Sequence, residues 1–197
     1  MRKILLFVLF LSFIAPVHTQ VKVRPGIRFG VNYSTITKTN LDYKTGIYVG
    51  GFANIRIENF YAVQPELLYS QQGGNSSRSN IPNLDIHYIS LTVPNIFFII
   101  PNNGLHFLIG PTLDFNVKNN FGNIFNDKGQ WNISPIDLAY VAGIGYEFDF
   151  GLILEARYKH GLANVDWFNN NEEYASGGNE NHYNTLFQIG AAYKFDF

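Results

Sequence analysis

Ten charged side chains offer most of the chemistry in this chain: Arg28, Arg56, Glu66, Asp114, Asp137, Glu147, Glu155, Arg157, Lys159 and Lys194. Their signs are mixed, so carboxylates and cations can pair, hold a proton or meet a small solute. Hydrolysis or acyl transfer at a membrane surface would need a different set, a serine or an acid beside a histidine. The histidines beyond the N-terminal segment are His87, His106, His160 and His182. Ser90 lies near His87, but the two have opposite parity along a strand and face opposite ways. No two histidines stand at metal-ligand spacing, and there is no cysteine. This inventory names no catalytic residue, no metal site and no cofactor.

The elements that position the charges are strands. Each charge is interleaved with apolar neighbours at a period of two, which puts charge on one face and apolar groups on the other. The pattern is plainest over Ile136–Leu162. Leu138, Tyr140, Ala142, Ile144, Tyr146 and Phe148 share a face. Asp137, Ala139, Val141, Gly143, Gly145 and Glu147 share the other. After the turn Asp149-Phe150-Gly151, Leu152, Leu154, Ala156 and Tyr158 oppose Ile153, Glu155, Arg157 and Lys159, so the stretch reads as a β-hairpin.

Similar alternation predicts strands over 25–34, 45–57, 60–71, 84–98, 105–117 and 184–197. Short turns at Glu58-Asn59, Pro101–Gly104 and Asp149–Gly151 alternate with long polar loops. The pattern predicts an all-β fold, an eight-stranded antiparallel transmembrane up-and-down β-barrel with short periplasmic turns and long external loops. Aromatics support two interfacial girdles. Phe60, Tyr61, Phe97, Phe98, Phe148, Phe150, Phe195 and Phe197 lie near the short turns, and Tyr33, Tyr69 and Tyr158 lie toward the long loops. Pro65, Pro94 and Pro111 fall inside these strands, where a missing N–H predicts bulges or strand ends.

Composition agrees with an inside-out sheet. Aromatics make up 16% and charged residues 15% of 197 residues, and mean hydropathy is −0.04. Arg2 and Lys3 followed by the apolar run Ile4–Ile14 predict a signal peptide over residues 1–19, removed before a barrel domain spanning 20–197. Losing those two cations takes the net charge from −1 to −3, which argues against nucleic acid as a partner.

Several stretches resemble the PorT-like outer-membrane β-barrel family of Bacteroidetes-type bacteria. They are GIRFGVNYSTI (Gly26–Ile36), YAVQPELLYSQQG (Tyr61–Gly73), LDIHYISLTVP (Leu84–Pro94), GPTLDFNV (Gly110–Val117), GIGYEFDFGLILEARYKHGLANV (Gly143–Val165) and FQIGAAYKF (Phe187–Phe195). The chain departs from the family at Ser90, where an acidic residue is usual, and at Asn95 and Ile96, which interrupt an aliphatic run. The resemblance implies an outer-membrane barrel. The namesake's association with protein secretion is a role that barrel motifs alone do not transfer.

Parity aims Arg28, Arg56, Glu66, Asp114, Glu147, Glu155, Arg157 and Lys159 into the lumen as a structural polar network. An interior of this strand number is just wide enough for side chains to fill. The expected protein is therefore non-enzymatic, with a structural, surface-interaction or secretion-accessory role. The alternatives are a narrow channel and a lipid-modifying enzyme. Trp131, Trp167, Phe121, Phe125 and Phe168 in the long loops could dock a partner or sit among lipid headgroups. Tyr193, Phe195 and Phe197 alternate up to the last residue and read as a C-terminal insertion signal for the barrel assembly machinery. The expected partners are outer-membrane lipid, that machinery, and a secretion or surface protein; the chain is expected to be a monomer.

Overall fold

The computed structural model describes residues 21–37, 41–76, 83–100, 103–117, 136–162 and 183–196. Ten antiparallel strands make one sheet: β1 (Lys22–Ile36), β2 (Leu41–Glu58), β3 (Tyr61–Val63), β4 (Glu66–Ser76), β5 (Leu84–Thr92), β6 (Asn95–Phe98), β7 (Leu105–Asn116), β8 (Ile136–Glu147), β9 (Leu152–Gly161) and β10 (Asn184–Lys194). Pairing runs β1-β10-β9-β8-β7-β5-β4-β2-β3-β6, and β1 also pairs with β2 and β6 with β7.

This corrects the expected eight-stranded up-and-down barrel. The sheet has ten strands, and its eight-strand ring is partial. The expected third strand is divided into β3 and β4 at Pro65, and the fourth into β5 and β6 at Pro94. The cause is the missing N–H. Ala53 donates to the Pro65 carbonyl, Gln64 to that of Pro94 and Val93 to that of Pro111, each at 3.0 Å. At none of the three can the proline return a bond to the same neighbour. The prolines thus line up across adjacent strands as a seam with half its bonds missing. Pro111 nevertheless stays inside β7, held by full register with β8. Two register shifts occur elsewhere, in β2 between Tyr43 and Tyr48 and between Arg56 and Glu58.

Other boundaries also move. β4 runs on to Ser76 through Gly73, which adopts a φ of 135° inside the expected loop. β10 ends at Lys194, before the expected terminus. The β8–β9 turn closes on Gly151, whose φ of 93° suits a residue without a Cβ.

The two faces differ sharply. Ile27, Phe29, Val31, Ile144, Leu154 and Ile189 are exposed, Ile189 by 66%. Arg28, Glu66, Asp114, Asp137, Glu155, Arg157 and Lys159 are buried on the inner face. Apolar groups share that interior. Ala62, Ile96, Phe98, Leu108 and Val141 form one cluster, and Phe52, Ile153 and Ala192 another. Phe98 therefore turns inward instead of joining the girdle at the short turns. Tyr61, Phe97 and Phe107 do associate on the outer face, as do Tyr146, Phe148 and Phe150. Tyr48 lies buried against Gly30 and Gly190, where an added Cβ would collide with its ring or hydroxyl. Glycine lets the ring rest directly on the sheet.

Candidate functional site

The densest polar assembly sits inside the ring at mid-height. Four strands supply it because inward residues at the same level meet across the interior, whatever their distance in the chain. β1 supplies Arg28, β4 Glu66, β7 His106, and β9 both Glu155 and Arg157. Arg157 donates to both Glu66 oxygens, each at 2.8 Å, a bidentate fork. Its Nε donates to Glu155 Oε2 at 2.6 Å. Arg28 donates to the same oxygen at 2.6 Å and lies 3.4 Å from Glu66 Oε1. Gln64 donates to Glu66 at 2.8 Å, and Asn54 to Gln64 at 2.8 Å. His106 places Nε2 3.3 Å from Glu155 and Nδ1 2.9 Å from the Gly104 carbonyl. Two guanidinium groups thus answer two carboxylates. Such a buried set contributes little net stability over apolar packing, but breaking it is costly.

Toward the long loops, Lys159 pairs with Asp114 at 2.5 Å. Asp137 is the cross-strand neighbour of Asp114 in β8. An amide and hydroxyl ladder continues upward. Gln188 donates to Asn32, Asn32 and Gln72 donate to Ser70, and Asn184 donates to Gln72. Beside the cluster, the cavity bounded by Leu68, Ser70, Thr92, Arg157 and Lys159 measures about 10 Å³. That is at most the space of one water.

Toward the short turns, Lys194 pairs with Glu147 at 2.5 Å. Arg56 belongs to none of these pairs. Its guanidinium lies over the Phe98 ring, 3.7 Å from the centroid. At the rim, Asp196 is shared by Lys22 at 3.2 Å and Arg24 at 3.0 Å. The hydrogen bond from Lys22, with help from Arg24, holds the Asp196 carboxyl below its usual range.

Of the network residues expected from parity, the fold gathers Arg28, Glu66, Glu155 and Arg157 into one cluster and Asp114 with Lys159 into a second. It leaves Glu147 with Lys194 and sets Arg56 apart. Sequence reasoning missed Tyr48, Phe52, Tyr88 and Phe98 as interior groups. A signal was available for two of them, since Asn54 lies two residues from Phe52 and Asn116 pairs with Tyr88, whereas Tyr48 and Phe98 have no charged or amide group at those positions.

His87 and His160 lie on the outer face. His87 meets Tyr69 at 2.5 Å, and His160 meets Thr185 at 2.8 Å. Ser90 is buried on the opposite side of the sheet from His87. Among the described residues no group of three or more His, Cys, Asp or Glu could hold a metal. Tyr193 is exposed and meets Phe195 edge-on at 5.4 Å. Phe197, His182, the signal-peptide stretch and the loop aromatics Phe121, Phe125, Trp131, Trp167 and Phe168 lie outside the described residues.

A sheet with lipid-compatible groups outside and paired charges inside defines a class, the outer-membrane β-proteins. The particular family follows from sequence comparison. The family described as outer membrane protein beta-barrel domain matches residues 19–166, and the chain belongs to it. It is a protein of the outer membrane. No curated protein matches the chain. Among solved structures, Neisserial surface protein A (NspA) is 14% identical, with a TM-score of 0.51 over 87% of this chain and 97% of its own. Ail, the attachment invasion locus protein of Yersinia pestis, is 16% identical, with a TM-score of 0.49 over 88% and 99%. At this identity the likeness to NspA concerns the fold alone.

Proposed function

We propose that the protein is a non-conducting scaffold of the outer membrane that presents its long loops to a surface or secretion partner. The observation that carries this reading is the mid-height cluster. Arg157 bonds both Glu66 and Glu155, and the space beside it is about 10 Å³. A conducting path needs continuous water, and the space beside Arg157 and Lys159 holds at most one. The inner charges therefore act as a structural network: Arg28, Glu66, Glu155 and Arg157 as the central lock, Asp114 with Lys159 above it, and Glu147 with Lys194 below, with Arg56 apart from it on Phe98.

Residues 1–19 act as the export signal and 20–197 as the membrane domain, which works as a monomer in outer-membrane lipid. Tyr193, Phe195 and Phe197 serve the assembly machinery as an insertion signal. A chain lacking Phe197 is expected to insert at reduced yield; insertion at normal yield would contradict that role. Two experiments test the main reading. Liposomes carrying the protein should not swell in small sugars, and swelling at a porin-like rate would overturn it. Crosslinking in the native outer membrane should then capture one recurrent protein through the long loops; recovery of lipid adducts alone would remove the partner.

A further inference from the structure

We propose that the short-turn mouth of the interior binds a phosphate-type oxyanion, with Arg56 as its principal ligand. A cavity of about 390 Å³ opens there, lined by Lys22, Arg24, Asn54, Arg56, Glu58 and Lys194. That volume lies within the range of small-ligand sites. Lys22 and Arg56 are direct cross-strand partners in β1 and β2, which sets two cations side by side on the inner face.

The cations at this mouth are unequally answered. Lys194 has Glu147. Lys22 and Arg24 divide one carboxylate, Asp196, whose side chain is 65% exposed. Arg56 makes no ion pair or hydrogen bond among the described residues, and its Nη1 is buried without a partner. A buried guanidinium nitrogen left this way costs free energy, which an oxyanion bound to the accessible part of the same guanidinium would offset. Stacking on Phe98 covers one face of the guanidinium and leaves its N–H edge for a planar or tetrahedral oxyanion. A phosphate group has oxygens enough to engage that edge and Lys22 together, where one carboxylate would be confined to the edge.

The site is a dead end. Phe98 belongs to the apolar cluster with Ala62, Ile96, Leu108 and Val141, and the mid-height ion pairs lie beyond it. An anion held here is bound and not conducted. Short turns mark the periplasmic end of outer-membrane strands. The oxyanion could thus come from the periplasm or from a phospholipid headgroup of the inner leaflet.

The test uses the full mature chain in phosphate-free maltoside micelles, with folding verified by heat-modifiable gel mobility. Inorganic phosphate and dihexanoyl phosphatidylglycerol are titrated separately and followed by calorimetry. Saturable binding of inorganic phosphate supports a periplasmic oxyanion. Saturable binding of the lipid alone supports the headgroup at the same site. In either case Arg56→Gln should weaken binding about tenfold or more, as expected for loss of a charge-assisted hydrogen bond, and Arg56→Lys should restore part of it. If Arg56→Gln does not fold, Lys22→Gln should weaken binding several-fold instead. Absence of saturable binding in both titrations, or variants binding as tightly as the parent, would overturn the site. Either result leaves the closed interior to be judged separately, by conductance.

Discussion

The inner and outer faces of β9 and β10 lie one residue apart and obey opposite rules. Inward, Glu155, Arg157, Lys159 and Gln188 are buried and bonded to partners on other strands. Outward, Leu154, Phe187 and Ile189 are exposed and meet no core. In water such a sheet would place its costs on both sides, leaving apolar area wet and charges desolvated. In a bilayer the outer face meets hydrocarbon and only the inner charges need internal partners. The contrast teaches that the interior of this protein is held by a polar network beside two apolar clusters, while the apolar outer face is left to the bilayer.

Breaking the inner side should have the largest effect. Arg157→Ala leaves Glu66 and Glu155 buried without their shared fork and should lower stability by about 3–5 kcal/mol. Urea unfolding in lipid vesicles measures this; a loss below about 1 kcal/mol would mean that water already reaches the cluster. On the outer side, Ile189→Arg should cost about 2–4 kcal/mol in a bilayer, because Ile189 faces hydrocarbon. A change within about 0.5 kcal/mol, the usual result at a wet surface, would remove the lipid assignment of that face. The smallest effect belongs to the sheet between the faces. Gly190→Ala puts a Cβ into Tyr48 and should cost about 1–3 kcal/mol, with the Tyr48 ring displaced. Pairing it with Tyr48→Ala should recover part of the loss, which a double-mutant cycle reads directly.

Much of this contrast is legible in the sequence, because a period of two is a local property. Alternation over Ile136–Lys159 places every inward and outward residue of that hairpin without knowledge of its neighbours. The turn at Asp149–Gly151 is legible for the same reason, as its geometry depends on adjacent residues alone. Pairing within the interior is not local. Glu66 meets Arg157 across 91 positions and Arg28 meets Glu155 across 127, so the partners depend on ring order and register. The prolines were legible as trouble but not as to outcome. Pro65 and Pro94 end strands, whereas Pro111 remains in one because β8 satisfies its other side. Phe98 misleads for a further reason. An aromatic near a strand end suits a lipid interface and a polar interior alike, and parity must outweigh composition.

The central claim is that paired charges close the interior to water and ions. Single-channel recording of the purified protein in a planar bilayer tests it most directly. The account predicts no conductance steps from the parent protein, even at high salt and voltage. Sustained, regular steps that survive dilution of the protein to single insertions would contradict it.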